Sequence, residues 1–175
     1  YDLQGLIDSI GGKEAAEKRL DEMFRRLDAS YGDEWFASGN EPSFQIPWIY
    51  NWAGAPYKAQ QVIRRILNEQ YSSRVNGLPG NDDLGSMGAW YVFASIGLFP
   101  EIPGVGGFSV NSPVFRKIVL HLPEGDVIIK GGDEKKEYIH SLSLDGKKME
   151  GTWIDWSDLY RGATLEYKLS GKPDK

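Results

Sequence analysis

The chain contains no cysteine and only two histidines. Disulfides and thiolate metal sites are therefore excluded, and the redox compartment stays open, because a secreted protein need not use disulfides. His121 and His140 both fall in strand-like segments without clustered partners, the pattern of packed or surface histidines rather than catalytic ones. No apolar run reaches the roughly 18 residues that a membrane span needs. The opening residues, Tyr1 to Ile7, lack a basic region and a long apolar core, so no signal peptide is visible. Tyr1 is not an initiator methionine, and a piece of a longer polypeptide is expected. An excess of base is also missing: 20 Lys and Arg against 25 Asp and Glu give a net charge of -5, which argues against nucleic acid as a partner. What is present is core material. Of 175 residues 41% are hydrophobic and 13% aromatic, enough for one moderate domain or two small ones.

The periodicity changes halfway along. Ala16, Leu20, Met23, Phe24 and Leu27 lie on one face of a helix predicted over 13–27, whose acidic residues read as a solvated face. Pro56 suits the first position of a second helix, running to about Tyr71, with Val62, Ile63, Ile66 and Leu67 inward and Lys58, Arg64, Arg65 and Glu69 more exposed. Met87, Trp90, Tyr91, Ala94 and Leu98 mark a third helix, apolar nearly all round, with Gly97 as its C-cap. A Pro- and Gly-rich linker over 99–107 comes next, then six short strand patterns, with a hairpin turn at Asp145-Gly146. The expected fold class is α+β, with a helical unit over 1–106 and a small antiparallel sheet or sandwich over 107–175.

Two polar constellations sit on chain breaks. Asn81-Asp82-Asp83 stands after Gly77, Pro79 and Gly80 and precedes the third helix, and Asn40-Glu41 stands between Gly39 and Pro42. Each has a structural reading: acids at a helix entrance satisfy free N–H groups and the dipole. Each also has a chemical one, since neighbouring carboxylates and amide oxygens suit calcium or magnesium, and a carboxylate can take a proton from water. A buried carboxylate is costly unless paired or bound to metal, so two such loops brought together would share a cation. Trp48, Tyr50, Trp52 and Trp90 are the aromatics able to stack on a sugar ring; the core reading fits Trp90, and Trp48 and Trp52 stay open between the two.

Gly80-Asn-Asp-Asp-Leu-Gly-Ser-Met-Gly-Ala-Trp90, with Gly39-Asn-Glu-Pro-Ser43 and Pro47-Trp-Ile-Tyr-Asn-Trp-Ala-Gly54, resembles the C-terminal part of the calcium-dependent exo-α-mannosidases of glycoside hydrolase family 92. The resemblance runs from about Trp35 to about Pro113. It implies the last helices of an (α/α)6 barrel and inverting hydrolysis of α-mannosides of the N-glycan type. By position, Asp83 resembles the general base, flanked by Asn81 and Asp82, with Asp83 preferred over Asp82 because Asp83-Leu84-Gly85 fits the motif's spacing. Asn40, Glu41 and Asp83 resemble ligands of the calcium, and Asn40, Glu41, Trp48 and Trp52 contacts of the sugar. Two departures stand out: Phe44-Gln45 where the family often has histidine, and no counterpart of the general acid, which lies upstream. The resemblance thus implies a fragment inactive alone, whose partners are glycans and its own missing N-terminal part. Self-association of its uncovered helix faces and a secreted, periplasmic or cell-surface location are also expected. The alternative is a carbohydrate-binding or structural module without catalysis.

Overall fold

The computed structural model describes residues 2–30 and 32–173. They form two compact units, Tyr1–Val92 and Phe93–Lys175. The boundary lies earlier than the Pro/Gly stretch. Phe93 and Ile96 pack into the core of the second unit, and Leu98 and Phe99 pair as a strand with Val110 and Ser109, so 93–106 belongs to the strand-rich second unit.

In the first unit the helices are α1 (Leu3–Ile10), α2 (Lys13–Met23), α3 (Ile49–Trp52), α4 (Pro56–Glu69) and α5 (Ser86–Ile96), the last continuing into the second unit. Helix α1 is not among those expected. Its cues are local: the Asp2 carboxylate accepts from the Gly5 N–H at 2.8 Å, Leu3 and Ile7 are buried, and Gly11 closes the helix at φ 112°. Helix α2 ends at Met23 rather than Leu27 because the Met23 carbonyl takes a hydrogen bond from the Phe36 N–H at 3.0 Å. Phe36–Ser38 is thus laid along the end of α2, where Asp28 and Ala37 form a β-bridge. The acids of α2 are less solvated than their pattern implies. Lys58 of α4 reaches Glu17 at 2.7 Å and Asp21 at 2.6 Å, and the Tyr50 hydroxyl donates to Asp21 at 2.9 Å. Arg64, expected on the exposed face of α4, is only 3% exposed. Around these helices Ile7, Leu20, Phe24, Phe36, Trp48 and Ile63 are buried, and Phe24 packs on Phe36 with centroids 4.8 Å apart.

The second unit holds two sheets. β1 (Leu98–Phe99), β2 (Gly107–Val110) and β7 (Trp153–Asp155) form an antiparallel sheet in the order β1-β2-β7. β3 (Lys117–Leu122), β4 (Gly125–Lys130), β5 (Tyr138–Leu144), β6 (Lys147–Lys148) and β8 (Ala163–Ser170) form the other, in the order β3-β4-β8-β5-β6. The β5–β6 hairpin turns at Asp145 and Gly146, both at positive φ, as expected. The β4–β8 pair is parallel, so this sheet is mixed rather than antiparallel. Alternation along single strands cannot reveal that, because it specifies faces and not neighbours.

Val127, Ile129, Leu142, Leu165 and Tyr167 form the core of this unit. The Tyr167 hydroxyl is buried there with no hydrogen-bond partner, and burial pushes its pKa up. Removing an unsatisfied buried hydroxyl returns its desolvation cost of roughly 1–3 kcal/mol. Tyr167→Phe is therefore expected to raise the thermal midpoint by a few degrees, read by calorimetry; a lowered midpoint would mean that the hydroxyl has a partner.

Candidate active site

The Asn40-Glu41 loop is delivered by the 36–38 segment. Ser38 Oγ donates to the Leu27 carbonyl at 2.9 Å and contacts Gln70 Oε1 at 3.0 Å, fastening the segment between the ends of α2 and α4. Asn40 is extended, and Glu41–Ser43 makes a 3-10 turn in which the Ser43 N–H donates to the Asn40 carbonyl at 2.9 Å. Pro42 suits such a turn because its fixed φ is already helical and its missing N–H is not needed there.

The Asp82-Asp83 loop is built differently. Asp82, Asp83, Leu84 and Gly85 all stand in the left-handed region, with φ of 63°, 47°, 60° and 85°. For three side-chain-bearing residues in a row this costs about 1–2 kcal/mol each, so the ends must hold the turn. They do. The Asp82 carbonyl accepts from Ser86 Oγ at 2.7 Å and from the Met87 N–H at 3.2 Å, and the Asp82 carboxylate accepts from the Gly88 N–H at 3.1 Å. Asp82 is thus the cap of α5, the structural role foreseen for one of this pair, and Asp83 points elsewhere.

Its side chain meets Glu41. The two carboxyls are within hydrogen-bonding reach, and that contact holds Glu41 below the usual carboxylate range and raises Asp83 above it. Two carboxyls this close do not ionise independently, so they titrate as a pair. The linkage signs are opposite. Asp83, with a raised folded pKa, contributes stability at low pH that is lost as pH rises through that value, while Glu41 contributes at higher pH and loses its share as pH falls. Where both are ionised the like charges repel, and a cation between them would relieve this.

The backbones of the two loops interlock. A Cβ placed on Gly80 would lie 2.6 Å from the Gly39 carbonyl oxygen, and one on Gly39 would strike the Pro79 carbonyl. Both motif glycines are required because the loops pass at backbone contact. A cleft of about 360 Å³ beside them is lined by Asp28, Ser38, Gly39, Asn40, Gln70 and Pro79, so Asn40 borders open space. Trp48 is fully buried and packs edge-on against Trp90 at 5.7 Å, a core position, while Trp52 is only partly covered. Trp90 is buried as expected, but it has a contact that periodicity could not suggest: its Nε1–H donates to the Phe44 carbonyl at 3.0 Å. Tyr71 stacks on its ring at 5.6 Å and 4°. Among the described residues no three acidic or imidazole side chains gather as a metal cluster, so Glu41 and Asp83 form at most part of a ligand set.

Residues 1–171 match the catalytic domain of glycosyl hydrolase family 92. The chain is 31% identical over 97% of its length to an uncharacterized secreted glycosidase of Arthroderma benhamiae, of which it covers 22%. It superposes on the family GH92 alpha-mannosidase BT3965 of Bacteroides thetaiotaomicron with a TM-score of 0.88 at 33% identity, covering 98% of this chain and 23% of that one. On the inverting mannosidase BT2199 of the same organism the TM-score is 0.87 at 28% identity, with 99% and 26% covered. The chain thus spans about a quarter of the length of these relatives. With the two motifs in contact and the whole chain matched at this level, it belongs to glycoside hydrolase family 92, as a C-terminal portion of the family's catalytic region.

Proposed function

We propose that the polypeptide containing this chain is an inverting exo-α-mannosidase acting on glycans, that Asp83 is its general base, and that Asn40, Glu41 and Asp83 contribute ligands to a calcium ion. The observation carrying this is the Glu41–Asp83 contact, which joins the two motifs at one acidic point. Asp83 is exposed, so water reaches it. Its raised pKa makes its carboxylate a stronger proton acceptor than an ordinary aspartate, and the ionised Glu41 opposite maintains that basicity. Asp82, tied to α5, holds the turn that aims Asp83. Inversion then requires a separate acid on the far side of the glycosidic bond, and that residue lies outside this chain.

The donor chemistry fits calcium: two facing carboxylates and the Asn40 amide are hard oxygen ligands, though fewer than the six to eight that the ion takes. When bound, calcium supplies Lewis-acid stabilisation and orientation of oxygen groups on the substrate. Asn40 beside its cleft, and the partly covered Trp52, are the proposed sugar contacts of this chain. Trp48 has no exposed surface with which to touch a sugar here, and its ring packs on Trp90 instead. Secretion is supported by the description of the Arthroderma relative, and among the described residues no helix is long and apolar enough to cross a membrane. Alone, the chain lacks the acid and should be inactive. It also exposes Leu6, Ile10, Tyr91 and Val92, which favours self-association of the isolated piece. The full-length polypeptide is expected to hydrolyse aryl α-mannosides with the β-anomer as first product by NMR, to lose turnover with chelator and to regain it with calcium. Chelator-resistant turnover, or an α-anomer, would overturn this reading.

A further inference from the structure

We infer that Trp90 is a positioning residue for the Glu41–Asp83 pair, acting through its indole N–H bond to the Phe44 carbonyl; this rests on the proposed role of the pair. The geometry isolates that bond. The indole ring is fully accounted for as core: it is 2% exposed, stacks on Tyr71 and meets Trp48 edge-on. Packing alone needs the shape of the bicyclic ring and not its N–H. The N–H is a further feature, aimed at the Phe44 carbonyl 3.0 Å away. Phe44 is the residue that closes the turn carrying Glu41, its own N–H donating to the Glu41 carbonyl at 3.0 Å. Trp90 stands one turn along the helix that Asp82 caps, and Asp82 is the neighbour of Asp83. Two acids far apart in sequence are thus referred to one rigid element: Asp83 through the cap at the start of α5, and Glu41 through the indole.

Apart from the Glu41–Asp83 side-chain contact itself, the other ties described between the loops lie on the near side of Glu41. The contact of Gly39 with Pro79 and Gly80 fixes the loop on the near side of Asn40, and Ser38 fixes it further back. Beyond Glu41 the turn's own bonds are the short-range ones of a 3-10 turn, which are weak, and the indole donor adds a tie to another element. Displacements of about 1 Å in a reacting group can cost on the order of a hundredfold in rate.

The test uses the full-length polypeptide with Trp90 replaced by benzothienylalanine, which keeps the shape of the indole and lacks the N–H, and in parallel by phenylalanine. Amide exchange at Ser43 and Phe44 is expected to accelerate at least tenfold while exchange within α4 is unchanged, and kcat to fall at least tenfold with KM within twofold. Unchanged exchange at Ser43 and Phe44 would remove the tether. Accelerated exchange with kcat within twofold of the parent would leave Trp90 as a purely structural residue and overturn the positioning role. Asp83→Asn and Glu41→Gln controls separate the two levels: if both keep full turnover, the proposed role of the pair fails, and with it any catalytic consequence of the tether, even where exchange responds.

Discussion

Asp83→Asn in the full-length polypeptide is expected to lower kcat by roughly 10²–10⁴, the range that a positioned proton acceptor contributes, with little change in thermal stability. Asparagine is one of the few residues that visits the left-handed region readily, so it should tolerate the φ of 47° that Asp83 holds. The backbone bonds at this position, Asp83 N–H to the Asn81 carbonyl at 2.7 Å and Ser86 N–H to the Asp83 carbonyl at 3.2 Å, do not involve the side chain. The loss would therefore report the carboxylate itself. Asp82→Asn provides the contrast: an amide oxygen can still accept from the Gly88 N–H, so turnover should stay within about tenfold, while Asp82→Ala should cost stability of about 1 kcal/mol as a lost cap. Equal losses in Asp82→Asn and Asp83→Asn would mean that the two acids act together and that the division of roles between them is wrong.

Gly39→Ala is expected to damage the site through shape alone. The new methyl would strike the Pro79 carbonyl, which is backbone in a loop already pinned by Pro79 and by the cap of α5, so neither side can yield easily. Overpacking of this kind costs roughly 1–3 kcal/mol. The larger consequence is for the pair, because separating the loops pulls Glu41 away from Asp83, and a shift of about 1 Å can lower kcat on the order of a hundredfold. Thermal melts and kcat measured on the same preparation check this. Retained kcat with a lowered midpoint would show that contact between the loops matters for stability and not for chemistry.

Much of this architecture was readable from local rules. Pro56 opens α4, Gly97 closes α5 at φ 88°, and Asp145-Gly146 turns the β5–β6 hairpin, because each depends on a conformation that its own residue favours. Helix α1 had the same kind of signal, an Asp cap and a closing glycine, but eight residues hold too few turns for periodicity to dominate. The extent of the second unit, the parallel β4–β8 pair and the burial of Arg64 were not legible, since each depends on which distant segment lies alongside. At the site the residue types announced acid and amide chemistry, and the motif resemblance singled out Asp83. That Asp82 turns to the helix while Asp83 turns to Glu41 is the result of a left-handed run that composition gives no reason to expect. The Trp90–Phe44 bond was hidden because an apolar helical stripe accounts for a tryptophan without its N–H.

The most direct measurement is calorimetric titration of calcium into the chelator-treated full-length polypeptide, its Asp83→Asn variant and its Glu41→Gln variant. Saturable binding in the parent, weakened at least tenfold in both variants, is the expected result. Binding that is unchanged when either carboxylate is neutralised would contradict a shared cation site between the two loops.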